Sequence, residues 1–412
     1  MHSAEPSERQ AGFAQGLVLS LATFLPILAT LSIAPAIPRL IEHFADVANV
    51  NVLVPMLISV PAAFIALTAP FVGIPIRRFG RKPVLVCGVV LYGLFGTAPF
   101  FLDDLLAILA TRAGVGVAEA MLATVGKSLI GDYFAGERRQ RWVGYQNAID
   151  AVLGTGMWFV GGLVASFGWR APFLLYLVAL PLLVAVLWLI WEPRPVPADV
   201  AADATAANGG PFPWRRMLIV YAVTVFSGAM YFSYPTNIAR ALTELGVASP
   251  VEIGILTAVA SVGTPLGALL FARATTLSIP VVLGVGLALI GLPFIGIGLA
   301  GHPQLAMGIG FFEQIGNGLL GAVLTMWCLR CLPFEHRGQG MGIWQSCLVA
   351  GIFISPLLFA YLEHLTGSIL HSFVALGAVC AASAAVIPVL VRRTMPAEVL
   401  SSTAPRRRTD RR

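Results

Sequence analysis

Charged residues are scarce in this 412-residue chain. Asp, Glu, Lys and Arg together make up 11% of it and hydrophobic residues 58%, whereas a soluble domain carries roughly 25% charged residues. So few charges are too few for the surface of a water-soluble domain of this size. The composition therefore argues against an ordinary soluble enzyme or binding module and favours a membrane protein.

Cysteine and histidine are scarce too, at five and six residues. The cysteines lie in apolar runs or near a basic helix end, which is not the pattern of a disulfide framework. Cys328 and Cys331 form a C-x-x-C with His336 nearby, but a structural zinc site needs four ligands. Five of the six histidines fall in predicted loops or tails, and His371 lies at the start of the last predicted span. We therefore expect no metal, no cofactor and no enzymatic activity.

The net charge of +6 does not indicate a nucleic-acid partner, because the basic residues flank apolar runs and form no patch on a soluble face. An ATP-driven pump would need a phosphate-binding loop. Gly126, Lys127 and Ser128 resemble the end of that motif, but Met121 stands where its first glycine belongs. The match falls inside an apolar run and is accidental.

Twelve stretches are long and apolar enough to cross a bilayer, whose hydrocarbon core of about 30 Å needs roughly 20 residues of helix. The predicted limits are 12–37, 50–73, 83–102, 105–130, 142–166 and 171–191, followed by 216–237, 251–272, 278–300, 303–329, 339–362 and 369–391. The predicted fold is an all-α membrane protein with twelve transmembrane helices in two pseudo-symmetric six-helix bundles.

A run rich in proline, alanine and glycine divides the chain into two halves and can bury no core of its own. The predicted organisation is an N-terminal bundle at 1–191, a cytoplasmic linker at 192–215, a C-terminal bundle at 216–391 and a basic tail at 392–412.

Lysine and arginine predict the orientation. If both termini are cytoplasmic, 21 of the 26 basic residues lie on that side. The opposite side keeps Arg39, Arg170 and Arg240, while Arg112 and Lys127 fall inside spans. We expect a multi-pass protein of the cell inner (plasma) membrane with both termini in the cytoplasm.

An internal repeat relates the two halves with an offset of 198 residues. The segment GDYFAGERRQRWVGYQN from Gly131 resembles LRCLPFEHRGQGMGIWQ from Leu329. Three pairs are identical under this offset: Glu137 and Glu335, Arg139 and Arg337, Gly144 and Gly342. Chance similarity of short basic loops is the alternative. Two like-built halves are typical of transporters that rock around a midplane site.

The loop after the second span carries a recognisable motif. It reads GIPIRRFGRKPVL and resembles the pattern G-x-L-a-D-r-x-G-R-[KR]-x-x-L of the major facilitator superfamily. The matching residues are Gly73, Gly80, Arg81, Lys82 and Leu85. The resemblance implies a gating loop formed by the first four of these. Arg77 replaces the family's aspartate, which helps to latch the two halves on the cytoplasmic side. A simple basic anchor is the alternative.

Two further segments resemble the same family. Arg112 and Gly116 match its fourth span, and GGLVASFGWR from Gly161 matches a fifth-span stretch associated with antiporters. Met157 and Trp158 replace the glycine and proline of that stretch. The likeness is strongest to twelve-span bacterial drug or metabolite efflux permeases. It implies a monomer that carries a small-molecule substrate by alternating access, with H⁺ as the coupling ion.

Charged residues inside the spans are the candidates for proton coupling or for the substrate cavity. A mid-bilayer charge costs about 2.5–3.5 kcal/mol and usually serves a function. Glu119 lies seven residues after Arg112, on the same face of the fourth span. It can act in transport or form a structural pair with Arg112. Asp150 can relay protons or bond a neighbouring helix, and Lys127 can extend to the interface.

The second half offers its own candidates. Glu313 and Asn317 share one face of the tenth span, and Asn317 corresponds to Glu119 under the offset. In the family the first, fourth, seventh and tenth spans line the path. Tyr231, Tyr234 and Asn237 lie around a proline of the seventh span that we expect to break the helix. The two tyrosine side chains can bind a solute or belong to an aromatic belt at the membrane interface.

These observations favour a secondary transporter, with proton-coupled efflux of a small amphipathic drug-like or metabolite solute as the leading hypothesis. Proton-coupled uptake of an organic solute is the alternative, and a non-transporting membrane receptor or a membrane enzyme is a weaker one. We hypothesise that Glu119 carries the coupled proton, because protonation changes the cost of burying the site as the protein reorients.

Overall fold

The computed structural model describes residues 11–134, 136–193, 212–273, 277–332 and 336–394. In these ranges twelve long helices follow one another and no strand occurs. The first six are α1 Phe13–His43, α2 Val50–Phe71, α3 Arg81–Phe101, α4 Leu105–Tyr133, α5 Gly136–Ala165 and α6 Ala171–Leu189. The second six are α7 Trp214–Glu244, α8 Pro250–Phe271, α9 Ile279–Gly298, α10 Pro303–Cys331, α11 Arg337–Thr366 and α12 Ile369–Thr394. A short loop helix, Gly73–Phe79, joins α2 to α3.

Eleven of these helices are long and apolar enough to cross a membrane. The remaining helix, α10, has 29 residues, which is sufficient length. It carries Glu313, Gln314 and Asn317 near its middle, and these polar side chains lower its hydropathy. Each of the twelve predicted spans therefore corresponds to one helix in the described residues, and eleven of these helices are both long and apolar enough to cross a membrane.

The helix limits depart from the prediction by six residues or more at three ends. Helix α1 passes through a 3₁₀ turn at Ala34–Ala36 and continues to His43, whereas its predicted end is residue 37. Helix α7 continues to Glu244, whereas its predicted end is residue 237. Helix α5 begins at Gly136, whereas its predicted start is residue 142. Of the predicted linker and tail, residues 194–211 and 395–412 lie outside the described residues.

The offset of 198 residues recurs in the helices. The starts of α3 and α9, of α4 and α10, and of α6 and α12 are each 198 residues apart. Helices α4 and α10 also have the same length of 29 residues. Glu335, one member of the predicted repeat pairs, lies outside the described residues.

Helices α1–α6 pack as one bundle and α7–α12 as the other. Large apolar side chains cover the outer faces: Phe101 is 76% exposed, Trp188 85% and Leu292 61%. Such faces suit hydrocarbon, because lipid offers no hydrogen bonds to polar groups.

We call the side on which α1 begins the basic side, since Arg77, Arg78, Arg81 and Lys82 lie there, and the side on which α1 ends the opposite side. On the opposite side the end of α1, Ile37–His43, contacts α7 of the other bundle. Helices α5 and α8 cross there, and a Cβ atom placed on Gly162 would lie 2.4 Å from the Pro250 carbonyl oxygen. The two bundles are therefore in close contact on the opposite side.

Candidate functional site

Arg112 is fully buried and joins three helices of the N-terminal bundle. Its guanidinium donates to the carbonyl oxygens of Phe95 and Gly96 in α3, at 2.9 and 3.3 Å. It also donates to the Tyr176 hydroxyl of α6 at 2.9 Å, and it stacks over the rings of Phe173 and Tyr176. These contacts hold α3, α4 and α6 together.

Glu119 lies two turns further along α4 and is 2% exposed. Its Oε1 atom is buried without a hydrogen-bond partner in the described part of the chain. None of the ion pairs found there joins it to Arg112. The structural ion pair predicted between Glu119 and Arg112 therefore does not form, because the Arg112 guanidinium donates to oxygen atoms of α3 and α6 instead.

A polar cluster surrounds Glu313 on α10. The Glu313 carboxylate accepts hydrogen bonds from the Asn317 amide at 2.7 Å and from the Gln314 amide at 2.8 Å. Gln314 in turn accepts from the Thr264 hydroxyl of α8 at 2.6 Å. The Asn317 Oδ1 atom is buried and has no hydrogen-bond partner among the described residues. We call Thr264, Glu313, Gln314 and Asn317 the α10 polar cluster.

The α10 polar cluster contains no cation. Glu313 is 0% exposed, and within the described residues no Lys, Arg or His forms an ion pair with it. Sequence reasoning found Glu313 and Asn317 but missed Gln314 and Thr264. A polar residue directly beside Glu313 in an apolar span was the available signal for Gln314, whereas Thr264 carried none.

The seventh-span candidates lie inside the protein. Tyr234 and Asn237 are 0% and 1% exposed, so they do not belong to a belt of side chains at the membrane interface. The Asn237 amide donates within its own helix, to the Ser233 carbonyl oxygen at 3.1 Å. Helix α7 continues through Pro235, and the expected break at this proline is wrong, because neighbouring turns keep the helix intact around one missing N–H.

Trp158 and Tyr234 form a contact between the two bundles. Their rings meet edge to face with centroids 6.4 Å apart, and the Tyr234 hydroxyl lies 3.6 Å from the Met307 sulfur of α10. Tyr231 is half-buried. The sequence presented Trp158 only as a departure from a family motif, so its part in this contact was missed.

Asp150 and Lys127 are near each other but form no ion pair among those of the described residues. Asp150 of α5 is half-buried, and its buried Oδ1 atom has no hydrogen-bond partner there. Lys127 is exposed near the basic end of α4. The predicted hydrogen bond from Asp150 to a neighbouring helix is therefore not formed through this oxygen.

The predicted gating loop is fastened to the N-terminal bundle. The Glu192 carboxylate accepts from the backbone N–H groups of Arg81 and Lys82, at 2.7 and 2.8 Å, and so caps the start of α3. Gly80 adopts φ +90°, and a Cβ atom there would lie 2.8 Å from the Glu192 carboxylate. Arg81 pairs with Asp132 of α4 at 3.1 Å.

Gly73 begins the short loop helix, and Arg77, which replaces the family's aspartate, is exposed. Sequence reasoning missed Glu192 and Asp132, the carboxylates that bind this loop. Asp132 lies in α4 and Glu192 follows the end of α6 directly, so the contacts seen at this loop bind it to its own bundle.

Together these residues can bind protons or a polar solute inside an apolar protein. An ionised carboxylate far from water costs free energy unless a positive charge or hydrogen bonds compensate it. Glu119 lacks a partner at one oxygen, whereas Glu313 has amide donors at both. In the parts of the chain that the structure describes, no three His, Cys, Asp or Glu side chains come together as metal ligands would.

The chain belongs to the Major Facilitator Superfamily, whose family model matches residues 19–243 and again residues 217–411. The two matches begin 198 residues apart, in agreement with the helix starts. Membership defines the chain as a multi-pass membrane protein with the fold of alternating-access secondary transporters, which points to a transporter rather than an enzyme.

Individual relatives are distant. Protein spinster homolog 3 of Danio rerio is 27% identical over 45% of this chain and 40% of its own length. Quinolone resistance protein NorB of Staphylococcus aureus (strain JH9) is 29% identical over 40% of this chain and 34% of its own. The chain thus matches less than half the length of these curated relatives.

The fold itself matches over nearly the whole chain. A solved structure of a D-xylose-proton symporter superposes with a TM-score of 0.77, at 14% identity, over 95% of this chain and 99% of that one. At this identity the likeness describes the fold alone.

Proposed function

We propose that the protein is a proton-coupled transporter that exports a small amphipathic drug-like or metabolite solute from the cytoplasm. One observation carries the proposal: Glu119 is buried at mid-helix in α4, and its Oε1 atom has no hydrogen-bond partner among the described residues. A carboxyl group in such surroundings is easily protonated, because its charged form is poorly compensated.

The protonation state of Glu119 affects which way the two bundles are oriented. When Glu119 is ionised, burial in a closed protein is unfavourable, and when it is protonated the penalty disappears. Substrate and proton then bias the same two-state equilibrium, in which one state opens to each side of the membrane. Arg112 supports the geometry of α4 and carries no proton in this scheme.

The substrate cavity in this proposal lies between Glu119 and the α10 polar cluster, with Tyr231 and Tyr234 as its aromatic wall. Asn237 supports that wall, and Asp150 offers a proton route toward the basic side. The gating loop, with Gly73, Gly80, Arg81 and Lys82, keeps the basic ends of α2 and α3 in place. The similarity to a quinolone resistance protein supports efflux.

The orientation and organisation belong to the same proposal. The basic side faces the cytoplasm in the inner membrane, and both termini lie there. The chain acts as a monomer with an N-terminal bundle at 1–191 and a C-terminal bundle at 216–391, joined by the linker at 192–215 and followed by the tail at 392–412. The helix starts at the 198-residue offset support this division.

Proton-coupled uptake of an organic solute is the second candidate. A D-xylose-proton symporter has the same fold over 95% of this chain, so the fold is compatible with uptake. The two candidates differ in whether solute and proton move in opposite directions or together.

The test begins by finding a solute. Cells with and without the gene are screened for altered tolerance and growth across a panel of amphipathic compounds. The solute that responds is then loaded into proteoliposomes, and its flux is measured after a pH jump. We expect flux in the wild type to follow the pH gradient, with opposite movement of solute and proton for efflux and parallel movement for uptake.

Glu119→Gln should lose this pH dependence, because glutamine keeps the shape and cannot take the proton. Glu252→Gln is the matched control, since Glu252 is exposed at the start of α8. Proton dependence that is unchanged in Glu119→Gln would reject the role given to Glu119. Wild-type flux that ignores the pH gradient would reject proton coupling itself.

A further inference from the structure

An open pocket of about 210 Å³ lies on the basic side between the starts of α1 and α5. It is distant in the fold from Glu119 and from the α10 polar cluster. Its lining combines basic and aromatic side chains: Gly12, Phe13, Arg138, Arg141, Trp142 and Tyr145. We call this the α1–α5 pocket.

The first turns of α5 present these side chains on one face. Arg138, Arg141, Trp142 and Tyr145 follow each other at spacings of three, one and three residues, so they are neighbours on the helix surface. The sequence alone placed the arginines in a loop before the fifth span. Because α5 begins at Gly136 instead, the arginines become part of a helix face that continues into the aromatic residues.

The aromatic part of the pocket is packed firmly. Trp142 is 6% exposed and stacks on Phe134 with ring centroids 5.2 Å apart. It also contacts Phe13 of α1 at 5.5 Å and Tyr145 at 5.4 Å. The indole therefore forms a fixed wall, while Phe13 and Tyr145 remain 69% and 51% exposed.

The two arginines are available to an anion. The Arg138 guanidinium donates to the Ala11 carbonyl oxygen at 3.3 Å and has no acidic partner in the described residues. Arg141 pairs with Glu137 at 3.1 Å, but both side chains are exposed, at 65% and 84%. An ion pair so exposed is weak, so a stronger anion can replace it.

We propose that the α1–α5 pocket binds the phosphate headgroup of an anionic phospholipid. Two guanidinium groups match the geometry and charge of a phosphate. The pocket lies where the apolar spans of α1 and α5 both begin, which is the level of lipid headgroups. Basic pockets between membrane helices at this level are typical sites for anionic lipids.

The pocket's size and surroundings favour a lipid over another ligand. Its volume is below the roughly 300–1,000 Å³ of sites that enclose small molecules. Beyond it, Val152 lies one heptad after Tyr145 on α5 and is 71% exposed. Together with the exposed Phe13 ring it continues the face into the apolar zone, where the acyl chains of a headgroup-bound lipid would run.

The test uses the purified full-length protein in detergent with added dioleoylphosphatidylglycerol, dioleoylphosphatidylcholine or inorganic phosphate. Retained lipid is counted by native mass spectrometry, and thermal unfolding is followed in parallel. Each basic residue near an anionic lipid contributes binding free energy, and its loss weakens lipid binding about fivefold. We therefore expect Arg141→Gln to bind phosphatidylglycerol about fivefold more weakly and the double variant R138Q/R141Q roughly 30-fold more weakly.

The double variant R77Q/R78Q is the matched control, because it removes the same charge from two exposed arginines on the same side. It should bind phosphatidylglycerol like the wild type. If R138Q/R141Q does not fold, the exposed single variant Arg141→Gln decides. Equal binding of the two lipids, or equal loss in R77Q/R78Q, would overturn the proposal. Stabilisation by inorganic phosphate equal to that by phosphatidylglycerol would also overturn it, since the pocket would then take free phosphate.

Discussion

Glu119 and Asn317 occupy the same position in two helices of equal length. Each lies 14 residues after the first residue of its helix, α4 or α10, and both helices contain 29 residues. Asn317 donates to the Glu313 carboxylate at 2.7 Å, so a buried carboxyl group is present at this level in both bundles. The two groups differ in their surroundings, since only Glu313 has amide donors at both oxygens.

Replacement of Arg112 should destabilise the protein. In Arg112→Lys the single ammonium group cannot reach two carbonyl oxygens and the Tyr176 hydroxyl together. We expect the free energy of unfolding to fall by about 3 kcal/mol, the loss of one or two charged hydrogen bonds. Denaturant unfolding in detergent measures it. Arg77→Lys, at an exposed position, should stay within about 0.5 kcal/mol of the wild type, and an Arg112→Lys variant equally stable would contradict the structural role.

The place of most helices could be predicted from the sequence, because about 20 consecutive apolar residues are a strong signal of a membrane span. The start of α5 could not. Arg138, Arg139 and Arg141 had the composition of a loop, but helices carry charges readily where they leave the hydrocarbon. The continuation of α7 through Pro235 was missed for a related reason: packing against neighbouring helices outweighs one absent hydrogen bond.

The candidate site could be predicted only in part. Charges in apolar spans identified Glu119 and Glu313 without any structural information. Their partners depend on contacts between distant residues, which leave no local pattern in the chain. Glu192 caps α3 from 111 residues away, and Arg112 is bound by backbone carbonyl oxygens of α3, which no side-chain pattern indicates.

The hydrogen bond between Asn317 and Glu313 should stabilise the α10 polar cluster. Asn317→Leu leaves the buried Glu313 carboxyl group with one amide donor, so we expect the free energy of unfolding to fall by about 1–3 kcal/mol, the cost of an unsatisfied buried polar group. In a Glu313→Leu background there is no such bond to remove, so the same change should cost less. A double-mutant cycle of unfolding in detergent measures the difference. Additive effects of the two substitutions would contradict the hydrogen bond.

Gly162→Ala should open the protein on the opposite side. The added Cβ atom would lie 2.4 Å from the Pro250 carbonyl oxygen and push α5 away from α8. Spin labels at Ala45→Cys and Ala248→Cys, in a cysteine-free background, should report a larger share of long distances. Gly156→Ala is the control on the same helix, since its Cβ would meet nothing within 4 Å. An unchanged distance distribution in Gly162→Ala would contradict the role of this crossing.

Gly80→Ala should loosen the gating loop. Gly80 has φ +90°, which alanine adopts only with strain of about 1 kcal/mol or more, and its Cβ would meet the Glu192 carboxylate at 2.8 Å. We expect faster hydrogen exchange at the start of α3 and a lower unfolding temperature. Gly73→Ala is the matched control, because its nearest neighbour lies at 3.7 Å. Equal exchange in the two variants would contradict the capping role of Glu192.

Glu119 is the residue that we propose to couple proton movement to transport. The most direct test compares two fluxes of the identified solute in proteoliposomes with wild type and Glu119→Gln: accumulation driven by an imposed pH gradient, and counterflow with no gradient. We expect Glu119→Gln to keep counterflow, which needs only reorientation, and to lose gradient-driven accumulation. Accumulation that persists at the wild-type level in Glu119→Gln would contradict it.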